Sequence, residues 1–274
     1  MKFKLSKEFQ IGILVIVTIA ITFFGVNYLK GINIFNPTNY YYLKFDRING
    51  LVETNPVNVK GYKVDVSDSK QVVDMATATR KECGEIDIVI NCAGIVANNA
   101  TFDKQRIEDI ERTMKINSTA PMVVAQQFLP GMIERNHGHI CNIASAAGMI
   151  ANPRMSVYVA SKWAVIGWSD SVRIELKQMK SKVRFTTIAP YFINTGMFDG
   201  VKSRLFPILK PEPTAKKIIK SIEKNRNFKG IPFGYHFIRF CQALLPTSIF
   251  DYIFGEVVGI FHAMDHFTGR QKEK

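Results

Sequence analysis

From residue 65 onward the sequence alternates between long helix-like stretches and short apolar runs, and this rhythm restricts the fold most. Helices and strands are predicted in turn at residues 69–83, 86–91, 103–134, 139–143, 156–179 and 183–188. Strands that alternate with helices pair in parallel, because each crossover returns the chain to the same edge of the sheet. The sequence therefore predicts an α/β fold, a Rossmann-type parallel sheet with flanking helices, for residues 65–274.

Composition excludes several classes of protein. A chain of 274 residues with 47% hydrophobic content can form a real core. Its net charge of +13 is spread along the chain, so no nucleic-acid partner is predicted. The pair His137 and His139 and the pair His262 and His266 lack a third ligand at recognisable spacing, and no metal site is predicted.

The N-terminal residues predict a membrane anchor. Residues 9–29 contain no charge, and a helix of that length spans the hydrocarbon core of a bilayer, about 30 Å thick. Lys2, Lys4 and Lys7 precede the stretch, which places the N-terminus in the cytoplasm by the positive-inside rule. Residues 1–30 are thus predicted to be a cytoplasmic tail and one transmembrane helix. A cleaved signal peptide and a buried core helix are the alternatives.

Residues 31–64 are interpreted as a short β segment. Residues 40–48 are rich in aromatic and β-branched side chains, Asn49-Gly50 is a turn dipeptide, and alternation resumes at residues 56–66, which favours a hairpin. Together with the preceding anchor, Gly50-Leu51, Asn55-Pro56-Val57 and Gly61-Tyr62-Lys63-Val64 resemble the start of membrane-anchored MCE proteins. That resemblance implies lipid transfer, but the small barrel of that family would be truncated here, leaving its strand edges unpaired.

Four polar residues have types and positions suited to proton transfer and to holding a substrate oxygen. The i,i+4 spacing places Tyr158 and Lys162 on one helical face, close enough for the ammonium to lower the pKa of the phenol. Ser145 follows a predicted strand, where a hydroxyl can hold a substrate oxygen. Asn117 falls in the middle of a predicted helix, where an asparagine is mildly unfavourable and ordinarily faces solvent.

Six motifs in order resemble the short-chain dehydrogenase/reductase family. They are Asp65-Val66-Ser67-Asp68, Asn91-Cys92-Ala93-Gly94, Asn117, Ser145, Tyr158-x-x-x-Lys162 and the segment Pro190 to Thr195. The tail residues 190–198 and 264–267 resemble the membrane-associated retinol- and steroid-dehydrogenase-like branch. The resemblance implies that Asn117, Ser145, Tyr158 and Lys162 are catalytic, with Asn117 supporting a proton relay near the lysine.

The same resemblance implies NAD or NADP as the cofactor. The residues implied to bind it are Asp65 at the adenine side, Asn91, Ala93 and Gly94 after the first predicted strand, Tyr158 and Lys162, and Pro190, Ile193 and Thr195, of which Ile193 and Thr195 would border the nicotinamide carboxamide. The glycine-rich loop that begins a complete member is not visible, so the sheet is predicted to be incomplete, with residues 86–91 as an edge strand.

The expected function is oxidoreduction of a lipophilic alcohol or ketone, in a chain that could form a homodimer as the family does. Two alternatives stay open: a membrane-anchored lipid-transport or scaffold protein, and a non-functional fusion of two pieces joined near Val64 and Asp65. The apolar stretch at residues 231–264 is interpreted as a substrate lid, a membrane-surface helix pair or plain core packing.

Overall fold

The computed structural model describes residues 61–269, and from Tyr62 onward they belong to one compact unit. This part of the chain forms a four-stranded sheet in the order β1, β2, β3, β4, and every neighbouring pair is parallel. The strands are β1 (Ile88–Asn91), β2 (His139–Ile143), β3 (Arg184–Pro190) and β4 (Phe228–Ile231). The predicted parallel α/β fold is confirmed, β1 lies at one edge of the described sheet, and β4 is a strand that the sequence did not indicate.

Helices cover both faces of this sheet. The α-helices are α1 (Ser69–Cys83), α2 (Ile107–Met114), α3 (Ala120–Glu134), α4 (Ser156–Gln178), α5 (Pro211–Glu223), α6 (Tyr235–Leu244) and the short α7 (Thr247–Phe250). Successive strand residues point to opposite faces, so Ile140 packs with α1, α3 and α4, whereas Cys141 packs with α5. The core therefore has two layers, one on each side of β2 and β3.

Local sequence explains why α1 matches its predicted bounds. The Asp68 carboxylate accepts hydrogen bonds from the backbone N–H groups of Lys70 at 2.9 Å and Gln71 at 3.3 Å, which caps the first turn. Gly84 ends the helix with φ 74°, and its N–H donates to the carbonyl of Arg80. The helix thus begins after an aspartate whose side chain caps it, and it ends at a glycine, which adopts positive φ readily.

The helix predicted at residues 103–134 is confirmed only from residue 107 onward, and it contains a π-helical turn. A 3-10 turn at Phe102–Lys104 is followed by extended backbone at Arg106, and α2 begins only at Ile107. The π-helical turn Lys115–Thr119 then joins α2 to α3. Helical periodicity does not distinguish α from 3-10 or π turns, because the hydrogen-bond register differs by only one residue.

The membrane helix predicted at residues 9–29 lies outside the described residues, as does most of the hairpin predicted at residues 40–66. The end of that hairpin, residues 61–66, forms no strand. Within residues 61–269, every helix is either too short or too polar to cross a bilayer.

Candidate active site

The carboxyl ends of three neighbouring strands bring the predicted site residues to one edge of the sheet. β1 ends at Asn91, β2 ends two residues before Ser145, and β3 ends at Pro190. Because these strands run parallel, their ends lie on the same side. Ligands of open α/β sheets bind outside this edge, which makes it the candidate site.

Ser145 and Tyr158 meet here from two different elements. Ser145 is the N-cap of the 3-10 turn Ala146–Gly148, and its Oγ accepts a hydrogen bond from the Ala147 N–H at 3.1 Å. Tyr158 lies in the first turn of α4, and its phenol is near enough to Ser145 for that side chain to lower the pKa of the phenol. Both side chains are buried, so the two hydroxyl groups interact away from bulk water.

Lys162 lies one helical turn after Tyr158 and reaches the end of β2. Its Nζ donates to the backbone carbonyl of Ile143 at 3.0 Å and lies 5.7 Å from the centre of the Tyr158 ring. The predicted placement of both side chains on one face of the helix therefore agrees with the structure. An ammonium has three N–H donors, and the Ile143 carbonyl takes one of them.

The ionisation of this pair differs from the expectation. Burial raises the pKa of the Tyr158 phenol to about 12, although the Ser145 side chain opposes the rise. Burial lowers the pKa of the Lys162 ammonium to about 8. Desolvation disfavours the charged form of each group, and the ammonium is bound to the Ile143 carbonyl. The pKa of Tyr158 is therefore raised, whereas the sequence predicted a lowered value, because burial outweighs any support from Lys162.

Asn117 lies in the π-helical turn Lys115–Thr119 and is 1% exposed, so it does not face solvent. Its Oδ1 accepts from the Ile95 N–H at 2.8 Å, and its Nδ2 donates to the Ile95 carbonyl at 2.9 Å and to Ser161 Oγ at 3.1 Å. One side chain therefore ties the loop after β1 to α4, next to Lys162. Such π turns are frequent at functional sites.

Gly94 lies between two of the predicted catalytic side chains. A β-carbon at this position would be 3.5 Å from both Asn117 Oδ1 and Lys162 Nζ, which is ordinary contact. The loop that carries Gly94 thus lies directly against these two side chains.

Asn91 has a structural use that the motif did not reveal. Its Nδ2 donates to Asn142 Oδ1 at 2.8 Å and to the Pro121 carbonyl at 3.3 Å, which links β1 to β2 and α3. Asn142 Nδ2 in turn donates to Ser169 Oγ on α4 at 2.9 Å. The side chain of Asn91 is thereby held in the sheet, whereas Ala93, two residues later, is exposed.

The segment after β3 borders the same edge. Pro190 is buried at the end of the strand, and Ile193 forms a parallel bridge with Leu209. Thr195 is exposed, and its N–H donates to the Ile193 carbonyl at 2.9 Å. These contacts fix the backbone of the segment and leave Thr195 at the surface.

Asp65 stands apart from this cluster in sequence, near the start of the described residues. Its carboxylate accepts hydrogen bonds from the Ser67 N–H at 2.9 Å and the Ser67 hydroxyl at 2.8 Å, which hold the pKa of the carboxyl below its usual value. Its contact with the adenine side of a nucleotide stays a prediction.

A pocket with a volume of about 440 Å³, counted to its open mouth, is lined by Ser145. Most of its wall is apolar and comes from segments far apart in sequence, and it includes Ile150, Met155, Phe192, Phe198, Tyr235 and Ile260. None of these six is predicted as a site residue from the sequence, because they lie in separate segments and share no recognisable spacing.

Asn152 is a further polar residue in the pocket wall. Its Oδ1 is buried and finds no hydrogen-bond donor among the described residues. The two tyrosines of the wall differ from it, since Tyr191 bonds to Ser203 Oγ at 2.9 Å and Tyr235 donates to the Ala146 carbonyl at 2.8 Å. Asn152 therefore carries an acceptor without a partner among the described residues, in the wall of the pocket.

A parallel sheet with a buried serine, tyrosine and lysine at its carboxyl edge defines a class of dehydrogenase-like α/β proteins, and comparison with known proteins specifies the family. The family model "short chain dehydrogenase" matches residues 45–205, more than half of the chain. A model for a domain of unknown function matches residues 2–36. The first match includes residues 45–64, so it does not support the MCE-like interpretation of that segment, and it spans the predicted junction of Val64 and Asp65.

Two curated relatives and one solved structure agree with this match. Epidermal retinol dehydrogenase 2 of Mus musculus is 35% identical over 226 residues, covering 81% of this chain and 72% of the relative. Retinol dehydrogenase 10-B of Danio rerio is 34% identical over 218 residues, covering 77% of this chain and 64% of the relative. Serine dehydrogenase from Escherichia coli superposes with a TM-score of 0.55 at 28% identity, covering 63% of this chain and 75% of that structure. The chain belongs to the short-chain dehydrogenase family and is an NAD(P)-dependent oxidoreductase.

Proposed function

We propose that the chain interconverts a lipophilic alcohol and its carbonyl compound, with Tyr158 carrying the proton. The proposal rests chiefly on Tyr158 and Ser145, which are both buried beside a largely apolar pocket that Ser145 lines. The names of the two retinol dehydrogenases support a hydrophobic substrate. The walls of the pocket are mostly apolar with a few polar groups, as is usual for sites that bind small molecules.

The residues at the sheet edge fit a nicotinamide dinucleotide. Gly94 and Ala93 keep the loop after β1 free of bulky side chains, and two of the three donors of Lys162 are not taken by Ile143. Lys162 would hold a hydroxyl-bearing part of the cofactor, and Ile193 and Thr195 would border its carboxamide. The bound nicotinamide ring supplies or accepts the hydride.

The protonation state of Tyr158 determines whether the free enzyme is ready to reduce a carbonyl group or to oxidise an alcohol. With the pKa raised to about 12, the phenol is protonated at neutral pH and can donate its proton to a carbonyl oxygen. The Ser145 hydroxyl holds that oxygen in place as the C–O bond loses its double-bond character. Oxidation of an alcohol needs the phenolate instead, which the positive charge of Lys162 stabilises.

Asn117 acts as a positioning residue in this proposal. Its side chain binds the backbone N–H and the backbone carbonyl of Ile95, and it also binds the Ser161 hydroxyl. Ser161 directly precedes Lys162 in α4. The loop after β1 and the lysine are thereby kept in register with each other. Precise placement of reacting groups is worth several kcal/mol in enzymes generally.

Replacement of Tyr158 by Phe tests the proposal. The change removes the transferable proton and little volume, so turnover of a retinoid or steroid alcohol is expected to vanish while the thermal midpoint changes little. Tyr252→Phe is a matched control, because that tyrosine is 66% exposed and lies outside the pocket. A substantial residual rate in Tyr158→Phe would refute the assigned role.

Cofactor binding is tested separately from turnover. Titration of the parent chain and of Tyr158→Phe with NADH and NADPH, followed by nicotinamide fluorescence, is expected to show binding of at least one dinucleotide to both proteins. Binding of neither dinucleotide to the parent below millimolar concentration would contradict the proposed activity.

A further inference from the structure

Eight exposed large apolar side chains are concentrated in the last part of the described chain. This set, which we call the C-terminal apolar face, consists of Phe233, Phe237, Phe240, Leu244, Ile249, Tyr252, Ile253 and Val257. It accounts for half of the exposed large apolar side chains of residues 61–269. Concentration of apolar area in one short segment is typical of an interaction site.

The spacing of these residues shows that α6 is apolar on two sides. Phe233, Phe237, Phe240 and Leu244 follow one another at intervals of four, three and four residues, and they are 74%, 65%, 60% and 66% exposed. The opposite side of the helix is buried, with Tyr235 and Ile238 packed in the core. Helices that are apolar on both sides generally bury both of them. Plain core packing therefore does not explain this part of residues 231–264.

Charge around the face is complementary to an anionic surface. α6 contains no acidic residue and carries Arg239 at the surface, and Lys229 Nζ lies 5.6 Å from the centre of the Phe233 ring. Of the acidic residues farther along, Asp251 is half-buried and Glu256 is paired with His262 at 3.1 Å. Aromatic and aliphatic groups flanked by cations are the pattern of helices that lie in the interface of an anionic bilayer.

The same helix forms part of the pocket. Tyr235 and Ile260 line the cavity beside Ser145, and Tyr235 donates a hydrogen bond to the Ala146 carbonyl. We infer that the C-terminal apolar face binds the surface of an anionic lipid bilayer and brings the pocket wall next to the lipid. Delivery of an apolar substrate from the bilayer rests in addition on the proposed function, whereas the lipid contact does not.

Tryptophan quenching in the full chain tests the lipid contact. Because residues 9–29 could hold the chain on a vesicle by themselves, the readout must report the depth of one side chain rather than binding. We expect the emission of Phe240→Trp to be quenched by phosphatidylcholine and phosphatidylserine vesicles with brominated acyl chains. Met179→Trp is the matched control, since Met179 is 62% exposed and follows the far end of α4. Trp163 and Trp168 give the same background in both variants.

The outcomes separate the alternatives. Equal quenching of the two variants, or none in Phe240→Trp, would overturn the inference. Phe240→Cys chains that crosslink on vesicles while Phe240→Trp stays unquenched would assign the face to a second copy and also overturn it. Quenching is expected to weaken without phosphatidylserine and in Arg239→Glu, and equal quenching with neutral lipid would contradict the anionic preference.

Activity gives an independent check on substrate delivery. The double variant Phe237→Ser, Phe240→Ser is expected to oxidise a short water-soluble alcohol like the parent but to show a several-fold higher KM for an alcohol supplied in vesicles. Tyr158→Phe is expected to keep full quenching at position 240 while losing turnover. Failure of the proposed chemistry would thus leave the quenching result intact, and failure of the lipid contact would leave turnover of the soluble alcohol intact.

Discussion

Lys162 is the group of the site whose charge changes closest to neutral pH. Its pKa is lowered to about 8 by burial, so the ammonium is lost as the pH rises through that value. Loss of this charge removes the support for negative charge on Tyr158 as the proton is transferred. We predict that kcat/KM for carbonyl reduction is flat at lower pH and falls above about pH 8.

Lys162→Arg is the control for the predicted decline of kcat/KM above pH 8, because a guanidinium stays charged at every pH of the assay. The variant is expected to be slower than the parent and to lack the decline above pH 8. A decline that persists unchanged in Lys162→Arg would assign the ionisation to another group.

Asn152 predicts a preference among lipophilic substrates. Its Oδ1 is buried in the pocket wall without a donor, and a neutral hydrogen bond is worth about 1 kcal/mol, or about fivefold in rate. A substrate with a second hydroxyl group is therefore expected to lose about fivefold in kcat/KM in Asn152→Leu. A matched substrate without that hydroxyl should lose nothing, and an equal loss for both would contradict the contact.

At the scale of elements, the π-helical turn between α2 and α3 carries the strongest local constraint. Replacing Asn117 by Ala removes the partners of the Ile95 N–H and carbonyl groups, and unsatisfied buried groups cost about 1–3 kcal/mol each. We predict that Asn117→Ala lowers the free energy of unfolding by about 3 kcal/mol in urea titration. Asn194→Ala, at an exposed position, should change it by less than about 0.5 kcal/mol.

Elements whose ends carry local signals could be predicted, and those set by long-range contacts could not. Residues 69–83 and 139–143 match α1 and β2 because an Asp cap, a terminal glycine and a compact apolar run define them. The π turn at Asn117 could not be predicted, because the groups that bind the Asn117 side chain, the backbone of Ile95 and the hydroxyl of Ser161, are distant in sequence. β4 escaped because Lys229 and Gly230 interrupt its apolar pattern.

At the scale of the whole molecule, parallel strand order explains why part of the site could be anticipated. Ser145, Tyr158 and Lys162 come together because a strand end and the start of the next helix always adjoin in such a sheet. The pocket wall is different, since Phe198, Tyr235 and Ile260 enter from the C-terminal segments. Tyr158 is buried against Phe192, Phe198 and Met264, which are distant in sequence, so the direction of its pKa shift could not be predicted from the Tyr158–Lys162 spacing.

Stability of the whole fold should depend on pH through His139, where β2 begins. His139 is 7% exposed, its Nε2 lies 2.7 Å from Thr186 Oγ1 on β3, and burial, with Arg184 nearby, lowers its pKa to about 4. The unfolded chain, with a histidine pKa of about 6.5, binds a proton that the folded chain excludes. The stabilisation is therefore complete above about pH 6.5 and decreases as the pH falls toward 4, by about 3 kcal/mol in all.

His139→Gln removes this proton-binding group, and urea titrations of parent and variant at pH 7.5 and pH 4.5 isolate its effect. The exposed His262, whose pKa is raised by Glu256 and Asp265, loses its contribution as the pH rises, and it is common to both proteins. The parent is expected to lose more stability than the variant between the two pH values, because only the parent has His139 to protonate on unfolding. Equal losses in the two proteins would show that the buried histidine does not couple proton binding to the fold.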